Sequence, residues 1–226
     1  MISRPVAIAL AALAIGFNLP FQHLAATFDY PGILREDPAT ILDRFLAGGP
    51  ALILTWYAFA FAALMFLPVG MAHALGADRM TRAPALAVAA AVTAALAGVM
   101  QAMGLLRWVM VVPGLAASGD VEGFALIHAF GGVAVGEHLG QTLTAAHVGL
   151  IALIQWRERR MATAALGALS VALILAGSLE GVALAIGASG EVFGLMAVAG
   201  YLGLTLWMLA SALGLSGLRL PRRALA

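Results

Sequence analysis

Six long apolar runs, separated by short polar links, leave this chain few ways to fold. They lie near 5–26, 51–72, 84–106, 134–155, 162–187 and 192–214. A helix needs about 20 mostly apolar residues to cross the hydrocarbon core of a bilayer, and each run supplies them. In hydrocarbon the backbone must satisfy its own polar groups, which helices do within one segment. Composition agrees: 10% of the residues are charged, against roughly a quarter in a soluble domain. The expected fold class is therefore all-α. It is a polytopic membrane protein with six transmembrane helices in one bundle, a single domain over 1–226.

The links carry the remaining structural signals. Arg4 followed by Val6–Phe17 imitates a secretory signal. Apolar character continues through Pro20 and Phe21, so the run is expected to remain as an uncleaved first span. Residues 28–50 form the longest polar connection. Asp37-Pro38 is a helix N-cap and first-turn signal, and Gly48-Gly49 is a stop signal. Between them Ile41, Leu42, Phe45 and Leu46 share a face opposite Asp43 and Arg44. This predicts a short extracytoplasmic amphipathic helix. Within 113–130 a short helix is expected from Asp120. It leads into the fourth span either through a hinge at Gly131-Gly132 or as one continuous helix to Trp156.

Arginine placement sets the expected topology. With both termini in the cytoplasm, the inner segments hold Arg4, Arg79, Arg82, Arg157, Arg159, Arg160, Arg219, Arg222 and Arg223. Only Arg35, Arg44 and Arg107 fall outside. Positive charge favours the cytoplasmic side, so nine against three orients a multi-pass chain in the cell membrane. Net charge is only +1, so no nucleic-acid partner is expected.

This topology gathers scattered polar residues at one depth. Glu137 and His138 lie near the outer end of the fourth span, and Glu180 near the outer end of the fifth. Gln101 and Arg107 end the third, and Asn18, Gln22 and His23 end the first. Gly132, Gly136 and Gly140 recur every four residues and form a seam that allows close helix approach. Ionisable groups in such a setting are the best pointers to function. The candidate site is Arg107, Glu137, His138, Gln141 and Glu180, as a ligand-binding or a structural polar cluster.

Several chemistries remain open at this stage. In a structural cluster, Arg107 would neutralise Glu137 or Glu180 while His138 and Gln141 complete the hydrogen bonds. A metal would have to use His138, His23 and Glu180 across helices, because no dense ligand spacing exists and cysteine is absent. Haem would need two histidines at one depth. His147 has no such partner, because His73 lies at the inner end; it is expected to bond Thr144 or a backbone carbonyl. No phosphate-binding loop, nucleophile elbow or dinucleotide fingerprint is present. The leading expectation is a non-enzymatic protein that binds a small ligand, a lipid or a partner through an outward-facing polar pocket, with or without proton coupling. The alternative is an intramembrane enzyme, metal-assisted or haem-bearing, using His138 with Glu137 and Glu180.

FDYPGILRED (28–37), GLLRWVMVVPGLA (104–116), GGVAVGEHLGQ (131–141), the SLEG around Glu180 and YLGLTLWMLA (201–210) together resemble a bacterial multi-pass membrane family. That family is a domain of unknown function, numbered 4386. The resemblance implies a six-span fold and draws attention to Arg107, Glu137, His138, Gln141 and Glu180. It implies no activity or cofactor. The family carries an acidic residue after Tyr-Pro, where this chain has Gly32.

Overall fold

The computed structural model describes residues 3–215, all of them helix or short connection. Helix α1 is Arg4–Phe28, and a 3-10 turn follows at Gly32–Arg35. Helix α2 is Pro38–Ala74, α3 is Ala77–Arg82 and α4 is Pro84–Met110. Short helices α5 (Val112–Ser118) and α6 (Val121–Ile127) lead into a π-helical segment, His128–Leu139. Then come α7 (Gly140–Arg157), α8 (Met161–Gly177), α9 (Glu180–Ala185) and α10 (Glu191–Leu215).

Among the described residues, five helices are long and apolar enough to cross a membrane. They are Arg4–Phe28, Pro38–Ala74, the runs Pro84–Ser118 and Met161–Ala185, and Glu191–Gly214. The helical run 121–157, which carries Glu137, His138, Gln141 and His147, is not one of the five. It nevertheless packs inside the bundle. Neighbours run α1, α2, α4, α7, α8, α10 and back to α1, which closes a ring. The ring's outer surface is apolar, with Ile8, Leu54, Leu126, Phe130 and Leu195 all exposed. Such a surface would be a liability in water and is what lipid contact requires. The chain is a multi-pass membrane bundle.

Local sequence explains the breaks. The Asp37 carboxylate accepts from the Thr40 amide (3.0 Å) and from the Thr40 hydroxyl, capping α2. These bonds hold the Asp37 carboxyl below its usual range, so the cap stays ionised at neutral pH. Gly49 departs from helical geometry (φ 56°, ψ −156°), in a region open essentially to glycine, and divides α2 into two pieces. The piece before it buries Ile41, Leu42 and Phe45, while Leu46 stays exposed. Asp120 caps α6 by accepting from the Gly123 amide (2.8 Å). The expected hinge at Gly131-Gly132 is absent. The chain is helical without interruption from Val121 to Arg157, and the glycines lie within the wider π turns.

Two cores fill the ring. One, toward the end that holds the α3 link, packs small α4 residues (Ala90, Ala94, Ala97) against Leu10, Phe66, Val148, Ile151 and Trp207. The other lies at the opposite, cap end. It unites Leu24, Phe28, Ile33, Ile41, Phe45, Trp56, Trp108, Val112 and Phe124 from the loop and five helices. Trp56 and Trp108 stack at 4.9 Å with planes 11° apart, and Phe28 meets both edge-on. Between the two cores the ring is not filled.

Candidate functional site

The unfilled space is a cavity of about 1610 Å³. Ligand pockets are usually about 300–1,000 Å³, so this one exceeds what a small polar solute needs. Phe17, Phe21, Tyr30, Trp56 and Phe59 form an aromatic wall, on which Tyr30 meets Trp56 edge-on at 5.1 Å. Burial pushes the Tyr30 phenol up, so it remains a protonated donor. Arg107, Glu137, His138, Gln141 and Glu180 all line this cavity, together with Asn18, Gln101 and His128. A common depth in the sequence thus becomes a common cavity in the fold. Gln22 and His23 are exposed and do not line it.

The glycine seam faces α4. A Cβ added at Gly104 would sit 2.5 Å from the Gly136 Cα, and one at Gly140 would meet Gln101 Cγ at 2.7 Å. A Cβ at Gly132 would strike the Arg107 guanidinium at 2.6 Å. The seam therefore lets two backbones touch and leaves room for the arginine side chain to lie between them.

Arg107 is buried, with 6% exposure. It does not pair with Glu137 or Glu180, contrary to the expectation from charge alone. Its Nη1 donates to the Gly104 carbonyl, its Nη2 donates to His128 Nδ1 (3.4 Å), and its guanidinium lies 5.0 Å from the Trp108 ring centre. Arg107 Nε is buried with no partner. Glu180 pairs instead with Arg35, at 2.6 Å. The pair rests on α10, where a Cβ at Gly194 would overlap the Arg35 guanidinium and one at Gly190 would meet Glu180 Cγ at 3.0 Å. Arg35 is the residue that sequence reasoning missed. It entered only as a loop charge, although its neighbour Tyr30 and the SLEG stretch were both noted.

His138 Nδ1 donates to the Ser178 carbonyl (2.8 Å), at the break between α8 and α9. It thereby satisfies a carbonyl left over at a helix end. The cavity floor is polar. Gln101 Nε2 donates to the Thr144 hydroxyl and to Tyr201 Oη (3.0 Å), and Asn18 Nδ2 donates to Thr205 Oγ1 (2.9 Å). Gln141 Oε1 is buried without a partner, and no hydrogen bond or ion pair reaches Glu137 among the described residues.

The histidines do not assemble as a metal set. No group of three or more His, Cys, Asp or Glu side chains could hold an ion among the described residues. His147 Nδ1 donates to the Ala90 carbonyl (2.8 Å), a backbone partner as expected. His73 lies in the last turn of α2, and the rings of His147 and His73 both contact Trp207, at 6.3 and 5.6 Å. Below them Trp207 Nε1 donates to Gln155 Oε1 (3.0 Å), and Gln155 Nε2 donates to Ser211 Oγ (2.9 Å). This second polar network lies in the packed core, and none of its residues lines the cavity.

No curated protein and no solved structure matches the chain significantly. One family does, over residues 6–212, and its match takes in the aromatic wall, the glycine seam and the Arg35–Glu180 pair. The chain belongs to that bacterial multi-pass membrane family, described as Domain of unknown function (DUF4386).

Proposed function

We propose that this protein binds a small ligand or lipid in the aromatic-walled cavity and does so without catalysing a reaction. The observation that carries the reading is that five polar residues, from α4, the π segment, α7 and α9, line one cavity whose lining is otherwise mostly apolar above a polar floor. Pockets of this kind, mostly apolar with a few convergent polar groups, are the usual form of a ligand site. The catalytic alternative finds less support. Glu180 is engaged by Arg35, and His138 is engaged by Ser178.

The proposal includes the placement in the membrane. Residues 121–157 make the sixth crossing, flanked on both sides by spanning helices. The piece of α2 before Gly49 is an amphipathic helix on the extracytoplasmic face. Both termini are cytoplasmic, so the cavity opens outward. Reporters fused at residues 40, 78 and 158 are expected to read outside, inside and inside. An outside reading at 78 or 158 would reverse the orientation.

Filling the cavity tests the function itself. Val198 lines it from α10. Protein purified in mild detergent should carry about one extractable small molecule or lipid per chain by mass spectrometry. Val198→Trp should remove it while leaving a monodisperse, folded bundle. Extracts without any bound molecule, from several membrane preparations, would refute the reading.

A further inference from the structure

We infer that the ligand is a zwitterionic amphiphile with a primary ammonium, a phosphatidylethanolamine-type lipid. It would be held by Glu137 and Gln141 at its ammonium and by Arg107 at its phosphate. This inference rests on the cavity being a binding site, as proposed above.

The charges inside the cavity carry the argument. Five side chains with formal charge line it: Arg35, Arg107, Glu137, Glu180 and Glu191, of which Glu191 is an exposed residue that needs no partner inside. Arg35 and Glu180 satisfy one another at 2.6 Å. Arg107 and Glu137 are left, opposite in sign, and among the described residues neither has an ion-pair partner. Burying a charge is costly unless it is paired as well as hydrogen-bonded, and the hydrogen bonds of Arg107 supply no counter-charge. A ligand with a net charge would satisfy one of the two and leave its own excess in an apolar enclosure. A zwitterion satisfies both and brings no net charge.

Hydrogen-bonding capacity narrows the cationic end. Glu137 offers carboxylate oxygens, and Gln141, one turn further along, offers a buried Oε1 with no partner. Both are acceptors, so the complementary group has N–H bonds to give. A primary ammonium has three, and a trimethylated one has none. Arg107 supplies the opposite end, because it is a donor-only group suited to phosphate and its Nε lacks a partner. Most of the remaining lining is aromatic or aliphatic, and the volume of about 1610 Å³ exceeds that of a headgroup. An acyl chain accounts for that space and for the apolar lining.

The test is native mass spectrometry of the full-length protein. It would be released from micelles holding equal amounts of phosphatidylethanolamine, phosphatidylcholine and phosphatidylglycerol with the same acyl chains. The expected result is about tenfold more ethanolamine adduct than either other lipid, the size of one charged hydrogen-bonding contact. Glu137→Gln should lower that adduct about tenfold and leave the choline adduct unchanged. Glu36→Gln, at an exposed loop position, should change neither. If Glu137→Gln fails to fold, the comparison of the three lipids on the wild-type chain still decides. Equal retention of the three lipids, or a preference for glycerol, overturns the zwitterion while leaving a lipid-binding cavity. No adduct of any lipid overturns both readings. Displacement of the lipid by free phosphoethanolamine at comparable concentration overturns the lipid assignment and places the ligand in solution.

Discussion

Replacing Gly104 with alanine is expected to cost about 3 kcal/mol or more of bundle stability, in the upper range for overpacking. The reason is what the new methyl group meets. Its neighbours are the Gly136 Cα at 2.5 Å, the Gly131 carbonyl at 3.0 Å and the Gly136 amide at 3.1 Å. All three are backbone, so no side chain can rotate away and α4 must part from the π segment. Arg107, one turn along α4, would move with it and take the cavity wall along. Gly114→Ala is the matched control. Its Cβ would meet nothing within 4 Å, and the residue lies exposed in α5. There the helix propensity of alanine should be neutral or slightly stabilising. Unfolding of both variants in detergent, followed by tryptophan fluorescence, measures the contrast. Equal stability of Gly104→Ala and wild type would show that the seam is not in contact.

The second large effect is expected at the other end of the bundle. Arg79 is buried, with 2% exposure. It pairs with Glu158 through Nε at 2.9 Å and Nη2 at 3.3 Å, and Nη1 donates to the His73 carbonyl at 2.7 Å. Removing one member of a buried pair typically costs about 3–5 kcal/mol, because the survivor stays buried and uncompensated. The Glu158 side chain is 27% exposed, so water screens part of that penalty. Glu158→Gln should therefore cost about 2 kcal/mol. Adding Arg79→Met should recover at least half of the loss, because no charge then remains unpaired. The same unfolding titration reads this double-mutant cycle. Additive losses in the two single variants would mean that the pair is not coupled.

Much of this fold was legible because hydrocarbon simplifies the problem. Run length located five long apolar helices but not their breaks, since the run expected to span 162–187 is divided at Ser178 and Leu179 into α8 and α9. Caps were readable from local sequence, and Asp37 and Asp120 both do what their positions suggest. Partners were harder. A structural cluster would have paired Arg107 with a glutamate, but its guanidinium meets the Gly104 carbonyl, His128 and the Trp108 face instead. Those contacts follow from side-chain direction and packing, which charge counting does not contain. Arg35 and Glu180 are separated by 145 residues. Their meeting depends on how the 29–37 loop folds back over the ring. The π segment was hidden too, because glycine-rich helical sequence looks alike in either hydrogen-bond register. His73 lies in the last turn of α2, where counting residues placed it, but its contact with Trp207 had no local signal.

The convergence of Arg107, Glu137, His138, Gln141 and Glu180 was readable only as a shared depth. Its conversion into a cavity required α1 and α10 to meet and close the ring, a long-range contact without a local signature. The central claim is that this cavity faces outward and is open to solutes.

Thiol accessibility tests that claim most directly. The chain contains no cysteine, so an introduced one reports alone. A membrane-impermeant thiol reagent, added to intact spheroplasts, is expected to label Val198→Cys within the cavity. It should label Ala77→Cys, in the α3 link at the opposite end, only after the membrane is permeabilised. Labelling of Val198→Cys from the inner side alone, or its inertness from both sides while Ala77→Cys reacts, would contradict an outward-facing cavity.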